Sequence, residues 1–169
     1  MDIMNYRNTQ GFSIVEVLVS MVILSIGVLA LSVLQLSSMQ NTQGGHMRSQ
    51  ASMLAYNIVD AMRANPTGVA NGNYSITFAE SYEAAAAGEA SVGVDCYGAE
   101  ADCSAAQMAA SDLDRWNTVL GAYLPSGQGQ IVTVIANDSI PRATVSVQWV
   151  DPYSAEAGPE QVSLEVLIQ

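Results

Sequence analysis

The strongest pattern in this sequence is an apolar run over residues 11–36. Between residues 17 and 34 the run holds no charged residue and no proline, and serine is its most polar residue. A helix needs about 20 consecutive apolar residues to cross the hydrocarbon core of a bilayer. The pattern therefore predicts a transmembrane helix over residues 12–36.

After residue 36 the apolar positions form a stripe with the spacing of an α-helix. The residues of this stripe are Met47, Ala51, Leu54, Ile58 and Met62. We expect the N-terminal helix to continue over residues 37–65 and to pack this stripe against a core. Gly44 and Gly45 are expected to weaken or kink the helix, because each glycine costs about 1 kcal/mol relative to alanine. The dipeptide Asn65-Pro66 predicts the end of the helix.

The middle of the chain predicts a short strand, a loop and a second helix. Tyr74, Ile76 and Phe78 alternate with polar residues after a turn signal, a pattern that is typical of a strand. Residues 84–100 are rich in alanine and show little periodicity, so they predict an irregular loop. Ser104 is a favourable N-cap for the second helix. The apolar side of that helix is expected to consist of Met108, Leu113, Trp116, Leu120 and Tyr123.

The C-terminal part of the chain predicts an antiparallel sheet. The expected strands are residues 130–136, 143–150 and 161–168. In the middle strand Val145, Val147 and Trp149 alternate with polar residues, so one face of it is expected to be buried. The predicted fold is therefore α+β, with a long N-terminal helix packed on a small antiparallel sheet, a second short helix and a small disulfide loop.

Length and charge limit the possible roles of the remaining domain. About 130 of the 169 residues follow the predicted membrane helix, enough for one small domain, which we place at residues 66–169. Sixteen acidic residues against five arginines give a net charge of −11. Phosphate binding needs clustered lysine or arginine, so nucleic acid is not expected as the main partner. The acidic surface is instead typical of a domain kept soluble outside the cell.

The two cysteines, Cys96 and Cys103, predict a disulfide. They form no C-x-x-C motif and have no companion histidine cluster, so they do not indicate a zinc site. The membrane span implies that the domain is exported, and oxidation is the default there. Acidic residues surround the pair, but no D-x-D-x-D-G loop is present, so we expect no metal.

Catalytic chemistry finds no support in the sequence. The single histidine, His46, has no serine, cysteine or aspartate partner in a recognisable motif. No phosphate-binding loop or nucleophile elbow is visible. We therefore expect a protein that is not an enzyme and that carries no cofactor.

Glu16 is the one charged residue near the start of the predicted membrane helix. A charge at the membrane centre costs about 2.5–3.5 kcal/mol on insertion scales. Glu16 lies only about 6 Å along the helix axis from Phe12, however, so its carboxylate could reach the lipid headgroups. The helix dipole also favours an acid at this end. On geometry alone, a headgroup contact and a functional role remain open.

The segment Gly11-Phe12-Ser13-Ile14-Val15-Glu16, followed by an apolar helix, resembles the class III signal of type IV pilins and of type II secretion pseudopilins. The resemblance implies that prepilin peptidase removes residues 1–11 by cleavage after Gly11 and methylates the new N-terminal Phe12. It also implies that Glu16 neutralises the terminal amine of a neighbouring subunit. The leader departs from the usual basic pattern, because Arg7 is its only basic side chain and Asp2 opposes it.

Further segments resemble the minor pilin type called PilV. They are residues 54–74, 112–134 and 143–151. Major pilins usually break the membrane helix with a proline, and residues 25–43 contain none. The resemblance implies a minor pilin that helps to initiate assembly of type IV pili, and hence a role in twitching motility, adhesion or competence. The alternative is a minor pseudopilin of a type II secretion system.

This resemblance also implies a location and a set of partners. The expected location is the bacterial inner membrane, crossed once with the globular domain in the periplasm, and afterwards the tip or base of the pilus. The expected partners are prepilin peptidase, other minor pilins, the major pilin and the inner-membrane assembly platform.

Overall fold

The computed structural model describes residues 11, 13–87, 96–98, 102–134, 140–154 and 158–168. The helices in these ranges are α1 (Ile14–Ala64), α2 (Pro66–Ala70), α3 (Phe78–Ala87) and α4 (Ala105–Tyr123), and the strands are β1 (Gln128–Val134), β2 (Arg142–Trp149) and β3 (Glu160–Leu167). The chain divides into two compact units, Met1–Asn41 and Thr42–Gln169. Helix α1 supplies residues to both units.

Helix α1 continues through Gly44 and Gly45 without a break in its secondary structure. The cost of about 1 kcal/mol per glycine does not interrupt a helix that has many residues on either side. Gly44 has a packing role instead, since a Cβ there would lie 2.9 Å from Oδ2 of Asp151. The helix is therefore not interrupted at the two glycines, and the expected local weakening or kink stays a prediction.

The end of α1 at Ala64 agrees with the Asn65-Pro66 signal, but a second helix follows at once. Asn65 caps α2, because its Oδ1 accepts a hydrogen bond from the Gly68 backbone N–H at 3.0 Å. Pro66 occupies the first position of α2, where its missing N–H is not needed. The same dipeptide thus ends one helix and begins another.

The predicted stripe of α1 lies in the core of the second unit. All five of its residues are buried, and Ala55 and Val59 join them. Most of the side chains that complete this core come from α4 and the sheet, and they include Trp116, Leu120, Ile131, Val145, Val147 and Trp149. Burial of apolar surface at about 25 cal/mol per Å² stabilises this packing.

The sheet has the order β1-β2-β3 with both pairs antiparallel. Val145, Val147 and Trp149 are fully buried, which confirms the predicted buried face of β2. On the opposite face, Ser146 bonds across the β2–β3 pair to the Ser163 hydroxyl at 2.9 Å. The antiparallel sheet and the long helix confirm the predicted α+β fold class.

The strand expected at Tyr74–Phe78 is wrong. Only Ile76 pairs, in an isolated bridge with Ile131, and Phe78 begins α3. The reason is a local capping box, in which the Glu80 carboxylate accepts from the Thr77 backbone N–H at 2.8 Å. Helix α3 also includes residues 84–87 of the expected loop, whereas residues 88–95 and 99–101 lie outside the described part of the chain.

Helix α4 begins as the sequence predicts. The Ser104 hydroxyl accepts from the Gln107 backbone N–H at 3.3 Å, and Gln107 Oε1 accepts from the Ser104 N–H at 2.9 Å. Trp116 and Leu120 of its predicted apolar side are buried, but Tyr123 is 61% exposed. The observed strands begin one or two residues before the predicted ones, and the end of the first predicted strand lies beyond the described residues.

Candidate functional site

The first candidate site is the start of α1, where Glu16 lies in the first helical turn. The Ser13 carbonyl accepts hydrogen bonds from the Glu16 N–H at 3.0 Å and from the Val17 N–H at 3.3 Å. The Glu16 side chain is exposed, and it has no hydrogen bond or ion pair with another described residue. Gly11 is described just before the helix, and Phe12 lies outside the described residues.

The serines in the apolar part of α1 bond to their own helix. The Ser20 hydroxyl donates to the Glu16 carbonyl, the Ser25 hydroxyl to the Met21 carbonyl at 2.7 Å, and the Ser32 hydroxyl to the Val28 carbonyl at 2.9 Å. Such local bonds satisfy hydroxyl groups where no water is available. Over residues 14–34, the Glu16 carboxylate is therefore the one polar side-chain group that the described residues leave unpaired.

This part of α1 has the composition of a membrane helix. It is long and apolar enough to cross a bilayer, and none of its most apolar window is buried within the chain. Leu29, for example, is 67% exposed. A long exposed apolar surface of this kind requires a lipid or protein environment.

The second candidate site is a buried cluster around Asp112 of α4, which is 5% exposed. Its Oδ2 accepts a hydrogen bond from the Tyr74 hydroxyl and its Oδ1 accepts one from the Tyr97 hydroxyl. Asn65 Nδ2 donates to the Tyr74 oxygen at 3.3 Å and to the Ala105 carbonyl at 2.8 Å. The cluster therefore connects the end of α1 to α4.

Burial is the main cause that raises the pKa of both tyrosines in this cluster. It raises the pKa of Tyr74 far above the usual range, and the hydrogen bond to Asp112 adds to the effect. The same two causes, in the same order, raise the pKa of Tyr97. Both hydroxyls therefore stay protonated and act as hydrogen-bond donors at neutral pH.

The predicted disulfide is present and lies beside this cluster. Cys96 and Cys103 are bonded, and Tyr97 follows Cys96 directly. The Arg115 guanidinium lies 4.9 Å from the centre of the Tyr97 ring, a cation–π distance. Tyr97 also lines a cavity of about 340 Å³ between α1 and α4, together with Leu54, Ile58, Arg115, Trp116 and Val119.

The sequence did not indicate the Asp112 cluster. Tyr74 and Asp112 are 38 residues apart, and no motif connects them. The position of Tyr97 next to a cysteine was the only available hint. Among the described residues, no group of three or more histidine, cysteine or acidic side chains could hold a metal ion. His46 is exposed, and its Nε2 lies 3.2 Å from Nε2 of Gln50.

The apolar helix, the α+β domain and the N-terminal signal together define a pilin-like membrane-anchored protein. The family model for the prokaryotic N-terminal methylation motif matches residues 6–32. The family model described as type IV pilin Tt1218 matches residues 33–114. These matches support a type IV pilin, and neither distinguishes the PilV type from other pilins. No curated protein and no solved structure matches the chain.

The matches also bear on the partners and location of the chain. A class III signal implies processing by prepilin peptidase and assembly with other pilins. The motif and the apolar helix support membrane anchoring and association with a pilus. Type IV pilins are a family of structural subunits.

Proposed function

We propose that this protein is a minor pilin, a structural subunit of the PilV type that helps to initiate assembly of type IV pili. The observation that carries the proposal is the unpaired Glu16 carboxylate at the start of an apolar helix. The segments that resemble PilV and the absence of a proline over residues 25–43 favour a minor subunit over a major one. Twitching motility, adhesion or competence would then depend on the protein through the pilus.

Glu16 needs a positive partner that the described part of its own subunit does not supply. A carboxylate is costly in lipid, and a pair of opposite charges is tolerated where each alone is not. Cleavage after Gly11 would create such a partner, because it leaves a new amine at Phe12. In an assembled filament, the amine of one subunit would neutralise Glu16 of its neighbour.

The proposed organisation follows the same argument. Residues 1–11 form the leader, residues 12–36 span the inner membrane, and residues 37–65 continue the helix into the periplasm. Residues 66–169 form the globular domain, which contacts other minor pilins at the tip or base of the filament. The inner-membrane assembly platform and the major pilin are the remaining partners.

Processing can be tested at Gly11 without disturbing the fold. A Cβ on Gly11 meets no atom within 4 Å, so Gly11→Leu should leave the fold intact. We expect this variant to keep its leader, while the unchanged chain begins at methylated Phe12, as measured by intact mass. Gly27→Ala is the matched control, because a Cβ there also meets no atom within 4 Å. Processing of Gly11→Leu at the normal site would contradict the proposal.

The role of Glu16 can be tested by Glu16→Ala. The variant should insert in the membrane at least as well as the unchanged chain, but it should not enter pili. Ser20→Ala is the matched control, because Ser20 lies one turn away and its hydroxyl bonds to the same helix. Normal incorporation of Glu16→Ala into pili would show that the Glu16 carboxylate has no role in assembly and only contacts lipid headgroups.

Deletion of the gene tests the choice of machinery. Loss of surface pili and twitching motility with intact protein secretion is the expected result. Blocked secretion with normal pili would instead assign the protein to a type II secretion system, as a minor pseudopilin. Salt-sensitive DNA binding by the purified protein would contradict an assembly role as its main one, because an acidic chain is a poor ligand for phosphates.

A further inference from the structure

Tyr97 joins the disulfide to the buried carboxylate. It follows Cys96 directly, and its hydroxyl donates to Oδ1 of Asp112. Cys96 itself is buried, whereas the Tyr97 side chain is 52% exposed. Tyr97 is therefore positioned from two sides, by the disulfide of its neighbour Cys96 and by its own contacts with Asp112 and Arg115.

The hydrogen bonds of Asp112 come from two separate routes. Tyr74 supplies the donor to Oδ2 and is held by Asn65 at the end of α1. Tyr97 supplies the donor to Oδ1 and lies next to the disulfide-bonded Cys96. Loss of the second donor would leave one oxygen of a buried carboxylate unsatisfied, which is costly.

Release of Tyr97 would also change the cavity between α1 and α4. Tyr97 and Trp116 both line this cavity, and Trp116 is 4% exposed. The Trp116 indole N–H donates to the Leu54 carbonyl at 2.9 Å and so connects α4 to α1. Removal of the Tyr97 ring would bring water to this contact.

We propose that the Cys96–Cys103 disulfide is a redox-dependent latch, which holds Tyr97 on Asp112 and closes the cavity between α1 and α4. The reductant is a dithiol. Its thiolate attacks Sγ of the less buried Cys103, and Cys96 leaves as a thiolate that takes up a proton. The second thiol then releases Cys103, so that two electrons and two protons pass to the protein and the dithiol becomes a disulfide.

This latch differs from the general effect of a disulfide. A cross-link that closes a short loop stabilises a protein by restricting its unfolded chain, whatever the neighbouring side chains do. The latch requires in addition that the Tyr97 hydroxyl contributes to the stability of the fold only while the disulfide is oxidised. The two explanations therefore differ in the coupling between Tyr97 and the cysteine pair.

A double-mutant cycle on the full chain in detergent measures this coupling. Tyr97→Phe should lower the denaturation midpoint of the oxidised protein by several degrees, and it should cause no shift in a Cys96→Ser/Cys103→Ser background. Tyr56→Phe is the matched control, because Tyr56 is an exposed tyrosine of α1 outside the cluster, and it should cause no shift in either background. Equal shifts from Tyr97→Phe in both backgrounds would overturn the proposal.

The indole N–H signals of Trp116 and Trp149 give a local readout by nuclear magnetic resonance. On reduction with dithiothreitol, the Trp116 signal should shift and exchange faster with water, while that of the fully buried Trp149 should not. An unchanged Trp116 signal after complete reduction would overturn the proposal. If reduction unfolds the domain and moves both indole signals, the same spectra of the oxidised Tyr97→Phe variant are used instead. The proposal then requires the Trp116 signal to shift and the Trp149 signal to stay in place. An unshifted Trp116 signal in that variant would overturn the proposal.

Discussion

Helix α1 has two regions with the same backbone and opposite surroundings. In the region before Thr42 the apolar side chains are exposed, whereas in the region after it the apolar stripe is buried and Met62 is fully enclosed. Apolar residues are present all around the first region, whereas in the second they concentrate on the buried side, with Met53 and Tyr56 exposed. The first region is therefore suited to a lipid environment and the second to a protein core.

The polar groups of the two regions differ in the same way. In the first region the serine hydroxyls bond to carbonyls four residues earlier in the same helix. In the second unit the fully buried Ser81 hydroxyl donates to Asn117 Oδ1 at 2.7 Å and accepts from the Gly129 N–H at 2.8 Å. These three residues belong to α3, α4 and β1. An exposed apolar helix satisfies its polar groups with hydrogen bonds inside the same helix, whereas polar groups in the core find their partners on distant parts of the chain.

The largest expected difference between the two regions comes from cavity formation. Leu120→Ala should lower the free energy of unfolding by about 2–5 kcal/mol, because Leu120 is fully buried. Leu29→Ala should cause no such loss, since the Leu29 side chain is 67% exposed and leaves no enclosed cavity when it is shortened. Chemical denaturation of both variants in detergent checks this, and similar losses would contradict the contrast.

A smaller effect is expected from two glycine substitutions. A Cβ on Gly129 would overlap the Trp116 ring and lie 3.0 Å from Cδ1 of Leu120. Gly129→Ala should therefore destabilise the second unit by about 1–3 kcal/mol. Gly27→Ala should instead favour the helix by up to about 1 kcal/mol, because nothing lies within 4 Å of a Cβ there. Thermal unfolding followed by circular dichroism measures both, and a tolerated Gly129→Ala would show that the Trp116 contact can adjust.

High pH should weaken the second unit and leave the first region of α1 unchanged. The pKa values of Tyr74 and Tyr97 are raised in the fold, so their contribution to stability is complete below the unfolded value of about 10. That contribution is lost as the pH rises further, because the unfolded tyrosines ionise first. The measurement is stability against pH, with phenolate absorbance recorded in parallel. Tyr97→Phe should make the loss less steep, and an unchanged slope would exclude a contribution from Tyr97.

The smallest effect concerns two serines with different partners. Ser104→Ala should cost about 1 kcal/mol, since it removes the N-cap of α4. Ser25→Ala should change stability by less than about 0.5 kcal/mol, because its hydroxyl only adds a second donor to a helical carbonyl. Parallel denaturation curves of the two variants give the comparison. Equal costs would mean that the hydroxyl bonds within the apolar part of α1 contribute as much as a cap.

Local signals predicted most of the fold. The stripe of α1, the Ser104 cap and the three strands depend on neighbouring residues, and the structure confirms them within a few residues. The alternation at residues 74–78 misled the prediction, because the capping box of Thr77 and Glu80 outweighed it. At Gly44 the helix continues, and the close approach of Asp151 to that glycine is a tertiary contact that no local pattern indicates.

Residue type and spacing along short segments were enough to indicate the N-terminal methylation motif, the apolar helix and the disulfide partners. The burial of Asp112 with two tyrosine donors is instead a result of tertiary packing. Those tyrosines lie 38 and 15 residues away in the chain. A buried carboxylate needs donors from whichever elements the packing brings to it, and no local pattern records which elements those are.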